Sequence, residues 1–190
     1  MLHRPISLGV FIYRLPQDDP RKNTALKLAR LGFAKLVTSL RELPRGSILL
    51  DPSAETPLSP NDKDLALRRG LSLIDCSWRE AVRIHGRVRG MSFERRRLPL
   101  LIAVNPTHFG KPYILSTVEA VAASLYILGF RDDALRVLSI YKWGPNFLTI
   151  NEKYLARYAE NDFSVEREIL GVDDVNGALM RLVRVYGERD

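Results

Sequence analysis

The side chains able to do chemistry are few, and their spacing excludes more than it suggests. Cys76 is the only cysteine among 190 residues, so neither an intrachain disulfide framework nor a cysteine-based zinc site is available. His3, His85 and His108 lie far apart with no carboxylates at ligand spacing beside them, so no metal centre is expected. Asp75 closes the apolar run Leu71–Asp75, between Gly70 and Ser77-Trp78. A carboxylate at the end of a buried strand can accept a proton, hold donor hydroxyls, or cap the helix that starts near Ser77. A second concentration of chemistry is the basic stretch Arg83, His85, Arg87, Arg89, Arg95, Arg96 and Arg97. Gly86 and Gly90 within it suggest a loop that follows a phosphate backbone, whereas the plain alternative is a solvated charged face. A dinucleotide-binding glycine fingerprint, a phosphate-binding P-loop, a nucleophile elbow and a His-Glu-x-x-His zinc motif are all missing from the sequence, which weakens hydrolase and nucleotide-fuelled readings.

The elements that position these residues change character along the chain. Met1 to Leu15 reads as a strand through Ile6, Leu8, Val10, Ile12 and Leu15. Thr24 stands at a helix-cap position ahead of Ala25–Arg30, which Gly32 stops. Short apolar runs follow at Ala34–Val37 and Ile48–Leu50. Ser59-Pro60 then starts a helix through Asp64–Arg69 that ends at Gly70. A last strand is expected over Leu98–Val104. Beyond it, Val118–Leu128, Asp132–Tyr141, Glu152–Tyr158 and Val165–Tyr186 carry helical spacing, the last with breaks near Gly171 and Gly177. Strands alternating with helices predict a mainly parallel sheet, and such sheets place ligands at the carboxyl ends of their strands.

With 46% hydrophobic residues, the chain can bury a sizeable core. It has no apolar stretch long enough to span a bilayer and no signal-peptide cleavage pattern, so an intracellular, cytoplasmic protein is expected. The net charge of +7 favours a polyanionic partner, nucleic acid being the commonest.

Five blocks of sequence, in order, resemble the aminocarboxypropyltransferase family that modifies small-subunit ribosomal RNA in archaea and eukaryotes. They are Asp19-Pro20-Arg21-Lys22-Asn23-Thr24 with Lys27–Gly32; Leu58–Asp62 with Arg69–Leu71; Ile74–Trp78; Arg97–Pro99 with Ala103–Pro106, Gly110–Tyr113, Leu115-Ser116 and Val118–Ala120; and Lys142–Gly144 with Phe147-Leu148 and Asn151. The short tail resembles archaeal members. The resemblance implies a SPOUT-like α/β fold with a mainly parallel sheet and a knotted donor site, followed by an all-helical C-terminal half. The expected division is residues 1–97 and 98–190, with the donor site at the junction. The implied activity is transfer of the 3-amino-3-carboxypropyl group of S-adenosylmethionine to N3 of a uridine or pseudouridine in small-subunit rRNA. The implied partner is that rRNA or a pre-ribosomal subunit, and a monomer is expected. Group transfer from a reactive sulfonium needs none of the missing motifs, because the leaving group departs neutral and the protein mainly positions the reactants.

The family pattern also implies site residues. Thr24 falls near the donor's amino-acid end, where its other role is a plain helix cap. Leu50 and Pro52 fall at the adenine pocket, against ordinary core and turn roles. Asp75 is assigned donor or acceptor contact ahead of general-base work. Trp78 and Ala81, one helical turn apart, would enclose the methyl group and leave the propyl carbon as the exposed electrophile. Leu98 and Tyr113 would present backbone groups to the adenine edge, with Ile74 nearby. Thr117 would hydrogen-bond the aminocarboxypropyl end, while Ser116 and Glu119 have capping-box spacing. Apart from the family pattern, the charge run itself suggests that Arg21, Lys22, Arg30, Arg83, Arg87, Arg89, Arg95 and Arg96 form a phosphate-binding rim around the donor site. Trp143 and Phe147 are assigned to helix packing ahead of base stacking. Methyl transfer from the same donor, and non-catalytic binding of pre-rRNA during ribosome assembly, are the rival functions.

Overall fold

The structure, a computed structural model, describes residues 4–15, 20 and 23–187, without the side chains of Trp78, Arg79, Ala81, Val82 and His85. Its first half alternates short strands and helices: β1 (Val10–Arg14), α1 (Thr24–Arg30), β2 (Lys35–Val37), β3 (Ile48–Leu50), α2 (Lys63–Arg69), β4 (Leu71–Asp75), α3 (Trp78–Val88) and β5 (Glu94–Arg96). The helices α4 (Thr117–Ile127), α5 (Arg131–Leu138), α6 (Pro145–Ala159), α7 (Ser164–Leu170) and α8 (Val175–Gly187) follow. Among the described residues the sheet has five strands in the order β2-β1-β4-β3-β5, with every pair parallel. The chain is therefore an α/β protein.

Side-chain alternation along the strands assigns the two faces of the sheet. Val10, Ile12, Ile48, Leu50, Leu71 and Leu73 join one large core with Leu28 of α1, Ala66 of α2 and the apolar sides of α4, α5 and α6. The opposite face puts Leu49, Phe11, Tyr13 and Ile74 against Val88 of α3. A single core thus runs from the sheet into the later helices. Gly70 makes the tight passage from α2 into β4 at φ 82°, where a Cβ would meet the Gly9 carbonyl oxygen at 2.9 Å.

Three sequence expectations change. The basic stretch is not a loop up to Gly90: Ser77 precedes α3, which carries the chain through Gly86 to Val88. Its inward residues Ile84 and Val88 are buried while Arg83 and Arg87 face solvent, so the amphipathic period outweighs the single glycine. Leu98–Val104 forms no strand. The strand at the sheet edge is β5, and beyond Arg97 the backbone is held by side chains of distant helices. The break expected near Gly177 is also absent, since this residue lies inside α8, where its N–H donates to Asp174 Oδ1 at 2.8 Å.

Candidate donor site at the carboxyl ends of the strands

The carboxyl end of β4 is the convergence point. Asp75 lies opposite Arg14 of β1 in the parallel ladder, and the guanidinium Nε of Arg14 is 3.8 Å from Asp75 Oδ2. The same oxygen accepts a hydrogen bond from Asn23 Nδ2 at 2.7 Å. Oδ1 accepts from the Thr117 hydroxyl at 2.5 Å. One carboxylate therefore ties together the end of β1, the start of α1 and the start of α4. With both oxygens engaged, Asp75 is built to organise these elements.

Asn23, rather than Thr24, caps α1, because Asn23 Oδ1 accepts from the Leu26 N–H at 2.8 Å. This frees Thr24 from the capping role. Its hydroxyl oxygen accepts from the Val118 N–H at 3.4 Å, a long bond that a stronger acceptor could replace. At the start of α4 the expected capping box is present: the Ser116 hydroxyl and N–H both donate to Glu119 Oε2, at 2.7 and 2.8 Å. Thr24, Asp75 and Thr117, three of the expected site residues, are thus brought together.

A second cluster lies at the end of β3. Leu50 is buried in the main core, and the Tyr113 hydroxyl donates to the Pro52 carbonyl at 3.4 Å. Tyr113 is a non-glycine residue at φ 69°, a left-handed conformation that a bulky side chain adopts only when its surroundings impose it. Its N–H donates to the Leu101 carbonyl at 2.7 Å. Burial pushes its phenol well above the ordinary tyrosine range, with the Arg97 guanidinium partly opposing. Leu98 packs half-buried against the main core two residues past β5. Ile74 does not join this group. It faces the α3 side of the sheet, because alternation along β4 turns it away from Leu73 and Asp75.

The segment from Arg97 to Asn105 is positioned by buried side chains. Glu166 of α7 makes a two-pronged ion pair with Arg97, at 2.9 and 2.8 Å, and also accepts from the Leu100 N–H at 2.9 Å. Arg97 Nε donates to Asn176 Oδ1 at 2.7 Å. The side-chain amide of Asn151 on α6 pairs with both the N–H and the carbonyl of Ile102, at 2.8 and 2.9 Å. Glu119 accepts from the N–H groups of Val104 and Asn105, at 2.6 and 2.9 Å. Sequence alone does not mark Asn23, Arg14, Glu119, Asn151 or Glu166 as site-shaping residues. Only two of them carry a local signal: Asn23, as a cap-forming residue directly before Thr24, and Glu119, through its capping-box spacing from Ser116.

The expected basic rim divides. Arg95 donates to buried Asp51 and to the Ser53 hydroxyl, at 2.5 and 2.9 Å, and Arg96 straddles both oxygens of Asp62 at 3.1 Å. Arg97 is 4% exposed. These three charges are neutralised within the protein, which removes them as phosphate contacts. Arg30, Arg87 and Arg89 are exposed. Arg83 is exposed too and pairs with Glu80 at 2.5 Å. Arg21 and Lys22 lie outside the described residues, as do the side chains of Trp78 and Ala81, although the first turn of α3 that carries them follows β4 directly. Cys76 sits between Asp75 and α3, and burial, helped by the charges of Asp75 and Glu80, pushes its thiol up to about 12. Among the described residues no group of three or more His, Cys, Asp or Glu side chains is placed to hold a metal ion.

Residues 48–174 match a family model described as Ribosome biogenesis protein, C-terminal. A 16S rRNA aminocarboxypropyltransferase of Vulcanisaeta distributa is 66% identical over 95% of this chain and 98% of its own length. The chain belongs to the 16S rRNA aminocarboxypropyltransferase family. A relative of the same name from Methanothermobacter thermautotrophicus is 45% identical over 84% of this chain and 94% of its own. The solved SAM-dependent rRNA:acp-transferase Tsr3 from Vulcanisaeta distributa superposes with a TM-score of 0.93 at 65% identity, covering 96% of this chain and all of that one. In this family member, Thr24, Asp75 and Thr117 come together at the carboxyl end of β4, and Leu50, Pro52 and Tyr113 at the carboxyl end of β3.

Proposed function

We propose that the protein transfers the 3-amino-3-carboxypropyl group of S-adenosylmethionine to N3 of a uridine or pseudouridine in small-subunit rRNA, in the cytoplasm during ribosome biogenesis. The observation that carries the reading is the meeting of Thr24, Asp75 and Thr117 at the carboxyl end of β4, in a chain of this family. The residues fit a donor with a zwitterionic end and a flat apolar end. The Thr117 hydroxyl gives its proton to Asp75, so its oxygen is left to accept from the donor's ammonium. Thr24 accepts only a long bond from Val118, so its own proton is available to the donor's carboxylate. Leu50, Pro52, Leu98 and Tyr113 supply the adenine wall and a backbone carbonyl at its edge.

When bound, the sulfonium makes its neighbouring propyl carbon electrophilic and leaves as a neutral thioether. The protein's task is to hold that carbon in line with an incoming N3 and to exclude water. Asp75 acts here as a positioning residue, leaving the imide proton to pass to solvent. Trp78 and Ala81 on the first turn of α3 would enclose the methyl group, which directs attack to the propyl carbon. The further parts of the reading are a knotted donor site of the SPOUT kind, a division at residues 97/98 with the cleft at the junction, Arg30, Arg83, Arg87 and Arg89 with Arg21 and Lys22 as the phosphate-binding rim, and a monomeric enzyme acting on rRNA or a pre-ribosomal subunit.

Calorimetric titration with S-adenosylmethionine tests the donor site. Saturable binding that is lost in Trp78→Ala is the expected result. A folded protein that binds RNA but no donor would favour the assembly-factor reading.

A further inference from the structure

The helical hairpin of α4 and α5 brings the chain back to the end of the molecule where α4 and α1 begin, and the loop from Ser139 to Gly144 lies there. Lys27, one turn into α1 from Thr24, donates through Nζ to the Ile140 carbonyl at 2.7 Å. The same ammonium sits 3.9 Å from the centre of the Tyr141 ring. Tyr141 in turn stacks on Trp143, with ring centres 5.0 Å apart and planes 25° from parallel. An ammonium and an indole at those distances cannot share one face of a phenol ring, so the order is Lys27, Tyr141, Trp143. Both rings pack in part against the main core, and each keeps part of its surface exposed. Tyr141 and Trp143 are both half-buried, whereas Phe147, the other aromatic of this region, is wholly enclosed in the core.

The loop is rigid as well as aromatic. The Tyr141 N–H donates to the Leu138 carbonyl and the Gly144 N–H to the Tyr141 carbonyl, both at 3.0 Å. Any Cβ at Gly144 would run into the Leu138 carbonyl, so only glycine closes this turn. Cations surround it. Arg30 lies exposed one turn beyond Lys27 on α1, burial and then this neighbouring charge lower the pKa of Lys27, and Lys142 is exposed between the two rings in sequence. A rigid aromatic stack with cations on its flanks is the chemistry that binds single-stranded RNA, the base on the ring and the phosphates on the charges.

We propose that Tyr141 and Trp143 form a stacking platform for a nucleobase flanking the acceptor nucleotide, with Arg30 and Lys142 taking the adjacent phosphates. The inference rests on the transferase reading for the identity of that RNA. It assigns Trp143 a role in placing the substrate strand beside the polar end of the donor cleft.

The test uses the chain's two tryptophans. In a Trp78→Phe background, Trp143 is the sole indole, and its emission is followed while single-stranded oligouridylate is added. Emission should fall by roughly half or more on stacking, and heparin, a polyanion without bases, should not reproduce the fall. Equal quenching by heparin, or none by oligouridylate, overturns the platform. In the Trp78-containing enzyme, Trp143→Ala should raise KM for an archaeal 16S rRNA transcript about tenfold with the donor Kd unchanged, and Trp143→Phe should restore most of it. An unchanged KM, or loss of donor binding together with RNA binding, assigns Trp143 to packing alone. If wild-type protein binds no donor while oligouridylate still quenches Trp143, the transferase reading fails and the platform stands. If transfer proceeds without quenching, the reverse holds.

Discussion

The two ends of the proposed donor site are built by different means. At the polar end, strand ends and helix starts supply groups close to their own backbone: Asp75 at the end of β4, Asn23 and Thr24 at the start of α1, Thr117 at the start of α4. At the apolar end, a chain without regular structure carries Leu98 and Tyr113, and buried side chains from α4, α6 and α7 fix its course. The first end follows from local rules of capping and strand termination. The second depends on partners 14 to 66 residues away on other elements. Damage should accordingly differ in kind, with loss of ligand affinity at the polar end and loss of the fold at the apolar end.

The largest effect separating the two belongs to Glu166→Ala, which leaves the Arg97 guanidinium buried without its partner. Chemical denaturation should show a loss of about 3–5 kcal/mol, with donor binding lost as a consequence. A cost under about 1 kcal/mol would mean that the apolar end does not depend on this ion pair. Next comes Asp75→Asn, which preserves shape and removes charge. Donor affinity should fall about a hundredfold by calorimetry, with a much smaller change in the denaturation midpoint than in the Glu166 variant. Equal losses of stability and affinity would erase the distinction between the ends.

The basic residues sharpen the same contrast. Arg87→Ala and Arg89→Ala should each flatten the salt dependence of RNA binding by about one unit of log–log slope. Arg96→Ala should leave that slope unchanged and lower stability, because its charge is already spent on Asp62. The smallest effect concerns Cys76. Its thiol is pushed up to about 12, so the reactive thiolate is scarce, and alkylation by iodoacetamide at pH 8 should be slow until the protein is unfolded. Raising the pH toward that value should speed the reaction. Rapid labelling at pH 8 would contradict the burial of this strand end.

How much was legible in the sequence follows the same division. The short apolar runs between breaking residues locate β2, β3 and β4, and the Ser116/Glu119 spacing locates the start of α4, because these signals act within one turn or one strand; the alternation over Met1–Leu15 contains β1 but overruns it, the strand being Val10–Arg14. Asp75 and Thr24 are identifiable by resemblance, but the Arg14, Asn23 and Thr117 partners of Asp75 come from three separate elements, and only Arg14 reaches it through strand pairing, while the packing of α1 and α4 brings the other two. Leu98–Val104 was apolar enough to pass for a strand. Its hydrogen-bond partners turned out to be Glu166, Asn151 and Glu119, which local patterning cannot connect to it. The basic run concealed a similar split: Arg95, Arg96 and Arg97 look like Arg87 and Arg89 in sequence, and only Asp51, Asp62 and Glu166 mark them as internal.

The most direct measurement of what the proposed donor site does is label transfer. Purified protein is incubated with an archaeal 16S rRNA transcript and S-adenosylmethionine carrying its label either in the methyl group or in the carboxylate. Appearance of the carboxylate label in RNA, with the methyl label left on the released thioether, is the predicted result. Methyl label in the RNA would make the protein a methyltransferase, and neither label in RNA that the protein demonstrably binds would contradict transferase activity altogether.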